Sequence, residues 1–434
     1  MSIYSIGLSG LMAASEDLDG ISQNIANSST AGYKSVTTSF AASYSGGEAS
    51  GVSVAATTQS FDDDGDLVST DSSLDVAISG SGFFIVNNTD GSTAYTRVGS
   101  FSTDSDYNIV TSSGQNVQGY GVDSDGNIAS GILTNLAVTD TTLAAEASTE
   151  ITLTANLNAD ATAISTTSST YSFDPEDGTT YNYSVTTEVY DSLGVSHSLT
   201  QYYVKTDDSS WTINYTLDGT VLTAETDTLT FDSDGDLETV NGVAAYTSQT
   251  VNGTETKTYD SSVTTLTLSN IAVSSGADAL TLTIALASAS DADTTVTPTV
   301  SQYATDFSST SDADGYTAGT LSDVYFDDEG YLWASYDNGE TQLQGQLVLA
   351  SFSNENGLET SDNTTWYATD ESGTPTYGTA GSGSLGTLTV GSYESSNVDV
   401  SSELVDLMTA QQVYQANAKV LTAADDLASV LFNM

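Results

Sequence analysis

Residues 407–431, LMTAQQVYQANAKVLTAADDLASVL, set Leu407, Ala410, Tyr414, Asn417, Leu421, Ala424, Ala428 and Leu431 at alternating steps of 3 and 4. That spacing is the seam of an amphipathic α-helix. Ser401 or Ser402 is the expected N-cap ahead of Leu404, and Glu403 adds a carboxylate near the helix's positive end. The other end of the chain carries a matching stripe. Between Tyr4 and Ile25, the positions Leu11, Ala14, Leu18, Ile21 and Ile25 recur at the same steps, with Glu16, Asp17, Asp19 and Gln23 on the remaining faces. Asn27-Ser28-Ser29-Thr30-Ala31-Gly32 then stops the helix with residues that favour turns. Two such stripes flanking one chain predict helices that pack as a coiled-coil pair, or against copies of themselves.

Between the helices, strand signals dominate. Alternation is clear in Ser184–Tyr190, Leu199–Lys205, Thr264–Leu268 and Leu280–Ile284. Turn residues separate these runs at short intervals, which suits antiparallel sandwiches or barrels and not βαβ units. Two Ala/Ser/Thr-rich stretches, 141–170 and 285–299, read as a crossing into a second β domain and a crossing back. The expected fold is therefore mainly β with terminal α-helices: a paired coiled-coil domain of 1–30 with 400–434 and two sandwich- or barrel-like β domains, one inserted into the other. The inner β domain is expected over 71–146 with 301–399, and the inserted outer one over 147–300. Residues 31–70 are neither clearly helical nor clearly sheet. They read as an extended, partly irregular connector.

Composition narrows the function. The chain has 58 acidic and 5 basic side chains, a net charge of −53. A nucleic-acid binder needs a basic footprint to displace counterions, so that class is excluded. The absence of cysteine removes disulfide scaffolds, thiolate metal sites and cysteine nucleophiles. A single histidine rules out a multi-histidine metal site within the chain. Disorder is a poor fit, because 38% of residues are hydrophobic and 24 are tyrosine. No apolar run of about 18 residues offers a membrane span, and the N-terminus lacks the pattern of a cleavable secretion signal. Yet a cysteine-free, Ser/Thr-rich β chain has the character of a protein working outside a cell.

Four acidic loops invite a calcium reading: Asp62–Asp66, Asp123–Asn127, Asp232–Asp236 and Asp327–Gly330. The helical calcium loop places its glycine at position six and a glutamate at twelve. Here glycine follows the acids directly and the flanks read as strands, so tight hairpin turns are expected. The alternative is an extracellular, cation-dependent β-rich binding module. His197 follows Asp191 and Ser192 closely, which raises the thought of a hydrolase. No Gly-x-Ser-x-Gly elbow accompanies it, and a structural histidine is expected. No catalytic, metal or cofactor site is assigned, and no cofactor is expected.

A resemblance then adds to this reading. Ser9–Ala14, Leu18–Asn27 and Thr30–Ser35 together resemble the N-terminal signature of bacterial flagellar rod and hook proteins. Leu74–Phe84, Tyr95–Phe101, Tyr393–Asp399 and Ala410–Asn417 resemble further shared blocks. Within the N-terminal signature the matching residues are Asn24, Asn27, Gly32, Tyr33 and Lys34. The length, the block Val189–His197 and the runs Tyr336–Gly339, Gln346–Phe352 and Asn356–Leu358 resemble the hook branch. A distal rod protein is the alternative within the family.

The resemblance implies a structural protein, not an enzyme: a subunit that polymerises with itself into a curved, flexible tube passing torque from rod to filament. It implies export by the flagellar type III pathway without a cleaved signal, and an extracellular location. A distal rod protein, a hook cap and a hook–filament junction protein are the implied partners. Nucleic acid and membrane insertion are not expected. In such a polymer the two apolar seams, at Leu11, Ala14, Leu18, Ile21 and Ile25 and at Leu407, Ala410, Tyr414, Asn417, Leu421, Ala424 and Leu431, carry subunit packing.

Overall fold

A computed structural model describes residues 3–45, 48–124, 126–167, 171–251, 254–290 and 293–432. The chain divides into two compact units, one of residues 1–141, 321–335 and 341–434, the other of residues 142–320 and 336–340.

The first unit holds both helices, α1 (Ile3–Ala26) and α2 (Val400–Phe432). Asp399, not Ser401 or Ser402, caps α2: its Oδ1 accepts the Ser401 N–H at 2.8 Å and its Oδ2 the Ser402 hydroxyl at 3.2 Å. A carboxylate just ahead of the first turn accepts these orphan N–H groups better than a serine already inside it. Within residues 31–70, expected as an extended, partly irregular connector, β1 (Val36–Ser45) and β2 (Glu48–Gln59) pair as long antiparallel strands. Their strand-forming Val, Thr, Phe and Tyr residues are interrupted by Ala, Ser and Gly, which blurs the strand signal. Pairing and packing on α1 supply the regularity, with the Val52 N–H donating to Ser9 Oγ at 3.2 Å.

The body of this unit is a sheet running 331–336, 341–347, 116–122, 83–87, 93–96, 365–367 and 359–361, each strand antiparallel to the next. Phe61, Phe83, Tyr95, Phe352 and Trp366 meet edge-to-face at 4.8–5.9 Å beneath it. Trp366 Nε1 donates to Gln59 Oε1 at 2.6 Å, which ties the foot of β2 to this core. Two further pairings join the outgoing and returning chain, Leu67–Ser69 with Ser392–Glu394 and Val76–Ser79 with Thr387–Val390.

The second unit packs two sheets around one core. One is a six-stranded antiparallel meander over 183–244. The other joins 265–271, 280–285, 150–156 and 300–301, with 308–313 also on 150–156. The expectation of purely antiparallel sheets gives way here, because 150–156 runs parallel to both 280–285 and 300–301. Parallel neighbours need a long crossover, and the meander is that crossover. Alternate residues Ile151, Leu153 and Ala155 face Trp211, Ile213 and Tyr215 in a single buried cluster.

Three acidic loops are the tight turns the sequence predicts, with Asp125 of the Asp123–Asn127 loop outside the described residues. Asp232 Oδ1 accepts the N–H groups of Asp234 and Asp236, and Asp327 Oδ1 those of Glu329 and Tyr331. Gly126, Gly235 and Gly330 supply the positive φ at +78°, +85° and +82°. Asp62–Asp66 is not a hairpin turn. It lies against Glu394 and Lys34 instead.

Candidate subunit interface at the paired termini

The two helices run antiparallel, because the end of α1 meets the start of α2. Asn24 Nδ2 donates to Glu403 Oε1 at 2.9 Å. At the opposite end Gly7 faces Leu421, and Gly10 sits so close to Asn417 that an added Cβ would lie 2.9 Å from its Oδ1. Glycine at both positions lets the backbones approach, as small residues do wherever helices cross tightly.

Of the expected seam residues, Asn417 and Leu421 face glycines of α1 across this contact. Ala14, Ile21 and Ala410 are buried, whereas Leu11, Leu18, Ile25, Leu407, Asn417, Leu421 and Ala424 are half-buried. Tyr414 remains 39% exposed. The side chain of Leu431 lies outside the described residues. Both helices also present large apolar side chains to solvent, among them Tyr4, Leu8 and Met12 on α1 and Val405, Met408, Val413, Val420 and Leu427 on α2. An open groove of about 780 Å³ runs between α1, the hairpin and α2, lined in part by Ala13, Phe40, Val52 and Val413.

Asn24 organises the junction. Its Oδ1 accepts the Val36 N–H at 2.8 Å and the Tyr33 hydroxyl at 3.2 Å, while Nδ2 also donates to the Val36 carbonyl at 2.9 Å. One buried amide thus joins α1, β1 and α2, with every polar atom used. Asn27 closes α1 by donating to the Gln23 carbonyl. Gly32 adopts φ +65°, where a Cβ would press on the Val98 N–H at 2.9 Å. Burial pushes the Tyr33 hydroxyl above the usual tyrosine range.

Lys34 is the centre of a buried charge cluster. Its Nζ donates to Glu394 Oε1 and to the Asp63 carbonyl, both at 2.8 Å. Glu394 also accepts the Gly65 N–H at 2.9 Å and meets Arg97 at 3.4 Å. Asp64 approaches both cations at 3.7 Å. Beside it, Asn397 accepts the Ser35 N–H at 2.7 Å and donates to the carbonyls of Ser60 and Asp63. Sequence reasoning picks out Lys34 and misses Arg97, Glu394 and Asn397 as its company. The signal was there: in a chain with 5 bases, each one is a rare choice.

Carboxylates crowd the helix contact. Burial raises the pKa of Asp17, and the charge of Asp406 raises it further. Glu403 is raised too, by burial first and then by Asp406 and Asp17, against the lowering effect of Asn24.

Two polar clusters of the second unit answer the remaining sequence questions. His197 has one ring nitrogen 2.7 Å from Asp218 and the other 3.3 Å from Asp191, while Ser275 donates to Asp191 and not to the ring. A nucleophile needs its hydroxyl on the imidazole, whereas here the ring is held between two carboxylates. Asp232 and Asp236 converge on Lys257 Nζ at 2.5 and 2.7 Å. The loop's carboxylates thereby grip an internal ammonium where the calcium reading would put a metal.

Four family descriptions match the chain. They are the flagella basal body rod protein over residues 5–34, the flagellar hook protein FlgE/F/G D1 domain over 77–168, the flagellar basal body protein FlaE D2 domain over 156–316, and the flagellar basal body rod FlgEFG protein C-terminal region over 389–434. Terminal helices bearing rod-type signatures, around chain that matches hook-type β domains, define the axial rod-and-hook class of flagellar structural proteins. Flagellar hook protein FlgE of Escherichia coli K12 is 35% identical over 99% of both chains, as is that of Salmonella typhimurium, and that of Rhizobium meliloti is 30% identical over the full length of both. The chain belongs to the flagellar hook protein FlgE family. A crystal structure of Helicobacter pylori flagellar hook protein FlgE2 aligns with 74% of this chain and 98% of that one, at 13% identity and a TM-score of 0.48.

Proposed function

We propose that the chain is the repeating subunit of a flagellar hook, polymerising through its terminal helices into a curved, flexible tube that passes torque from rod to filament. The observation that carries this reading is the apolar surface left on α1 and α2. Tyr4, Leu8, Met12, Val405, Met408 and Leu427 are each more than 40% exposed on a chain of charge −53. Exposed apolar stripes of this kind mark association surfaces, and copies of the same helix pair are complementary to them. The groove beside Phe40 and Val413 would receive a neighbour's side chains.

The finer assignments rest on the family. They are export by the flagellar type III pathway without a cleaved signal, an extracellular position in the hook, and contacts with a distal rod protein, a hook cap and a hook–filament junction protein. Deleting residues 404–434 should leave a folded β chain that cannot polymerise. Normal tubes from that truncation, seen by electron microscopy, would sink the reading. A straight, rigid polymer from the full chain would favour a rod role over a hook role.

A further inference from the structure

The five bases of this chain are unevenly used. Lys34, Arg97 and Lys205 are at most 3% exposed. Lys257 is clamped by Asp232 and Asp236. Only Lys419, on α2, stands exposed. Each copy therefore offers its neighbours a surface of carboxylates interrupted by one ammonium.

The placement of that ammonium is informative. In a helix a side chain finds partners three and four residues away. Around Lys419 those positions are Gln415, Ala416, Thr422 and Ala423, none of them charged. In a chain with 58 carboxylates, none is set to neutralise it locally. Asn417, Leu421 and one methyl of Val420 face α1, and Lys419 lies about 200° around the helix from Asn417 and Leu421, pointing away from α1.

Beside Lys419 runs a second apolar stripe. Val413, Val420 and Leu427 step by seven and are 47%, 43% and 63% exposed, with Ala416 and Ala423 between them. Written as a heptad, the first three are a positions and the alanines d positions. Asn417 and Ala424 then fall at e, on the flank toward α1, and Lys419 falls at g, on the open flank. Residues at g reach across to carboxylates of a partner helix and set which helix docks and in what register.

We propose that Lys419 is a register-setting contact of the polymer: it pairs with a carboxylate of a second copy as that copy covers the Val413–Val420–Leu427 stripe. The inference rests on the polymer reading above. Like-signed copies repel over about 8 Å at physiological ionic strength, so an opposite charge acts only at contact, where it selects one docking among many. The occupant is another copy of this chain because every copy supplies the required carboxylates.

Zero-length carbodiimide coupling of assembled full-length polymer, made from an equal mixture of isotope-labelled and unlabelled copies, tests it. The expected product is a mixed-label amide between the Lys419 ε-amine and an Asp or Glu of another copy, found in the polymer and absent from dilute monomer. Lys419→Gln should raise the critical concentration for assembly about fivefold, the effect of roughly 1 kcal/mol. Lys419→Arg should assemble normally but give no coupled peptide. Lys419 acetylated as fast in the polymer as in the monomer, together with normal assembly of Lys419→Gln, would overturn the pairing and leave the polymer intact. Failure of the unmodified chain to polymerise would overturn both readings.

Discussion

Lys34 Nζ and Glu394 Oε1 meet at 2.8 Å across 360 residues of sequence, and neither side chain is more than 1% exposed. This pair joins the end of the N-terminal signature to the strand that returns toward α2. Because Glu394 also faces Arg97 and the Gly65 N–H, its removal leaves two buried cations with only the more distant, partly exposed Asp64 carboxylate. Glu394→Gln is expected to cost about 3–5 kcal/mol, read as an earlier denaturant midpoint of the first unit with the second unit unchanged.

Gly10 and Asn417 set the spacing of the helix pair. Gly10→Leu should force α1 from α2 and abolish assembly while leaving the β core folded. Gly10→Ala, whose single methyl meets only the flexible end of Asn417, should be mild. Critical concentrations of the two variants decide this, and equal assembly by both would count against the contact.

Asp17 and Glu403 have pKa values raised by burial and by neighbouring carboxylates. A raised acid binds more protons in the folded state, so its contribution is fullest at low pH and is lost as pH rises through the folded pKa. Helix pairing should therefore weaken as pH rises from about 4 toward neutral. Asp17→Asn should remove part of that dependence and strengthen pairing at neutral pH, as helicity of α1 and α2 followed by circular dichroism would report.

Burial works against the charge on His197, but its bonds to Asp218 and Asp191 outweigh that and raise its pKa above 6.5. Asp191 stays ionised, held at about 2 against burial by Ser275, the Val195 and Leu193 N–H groups and His197. A raised histidine stabilises fully below its unfolded pKa and loses that effect as pH rises through the folded one. Melting of the second unit should fall as pH rises through the window above about pH 6.5. His197→Gln should melt lower and show a flat profile over that window.

Charge repulsion among copies at −53 should make assembly depend on salt. Tubes should form less readily at about 10 mM than at about 500 mM NaCl, where the screening length is several-fold shorter. Sedimentation of polymer from monomer measures it, and equal yields would show that repulsion is already neutralised by other means.

Periodicity made the helices legible, because a 3-and-4 stripe is carried by the local sequence itself. The alternating strands of the second unit were legible for the same reason. What escaped was decided across distance. The hairpin of β1 and β2 is continuous apart from two register shifts because α1 and each strand support the other, although Ala and Ser favour strands little. Asp62–Asp66 resembled the turn loops in composition, yet its Gly65 N–H and Asp63 carbonyl are spent on Glu394 and Lys34. The partners of Lys34 lie too far along the chain for any window to connect them. Even the cap of α2 was misjudged by two residues, since a helix end belongs to whichever oxygen reaches the free N–H groups first.

Thr142 and Thr320 are cross-strand neighbours within the second unit. The 142–320 segment thus begins and ends on neighbouring strands of one pairing. Its internal length can grow or shrink without changing the separation of its two ends. A change of length between Thr142 and Thr320 therefore need not disturb the contact of Lys34 with Glu394.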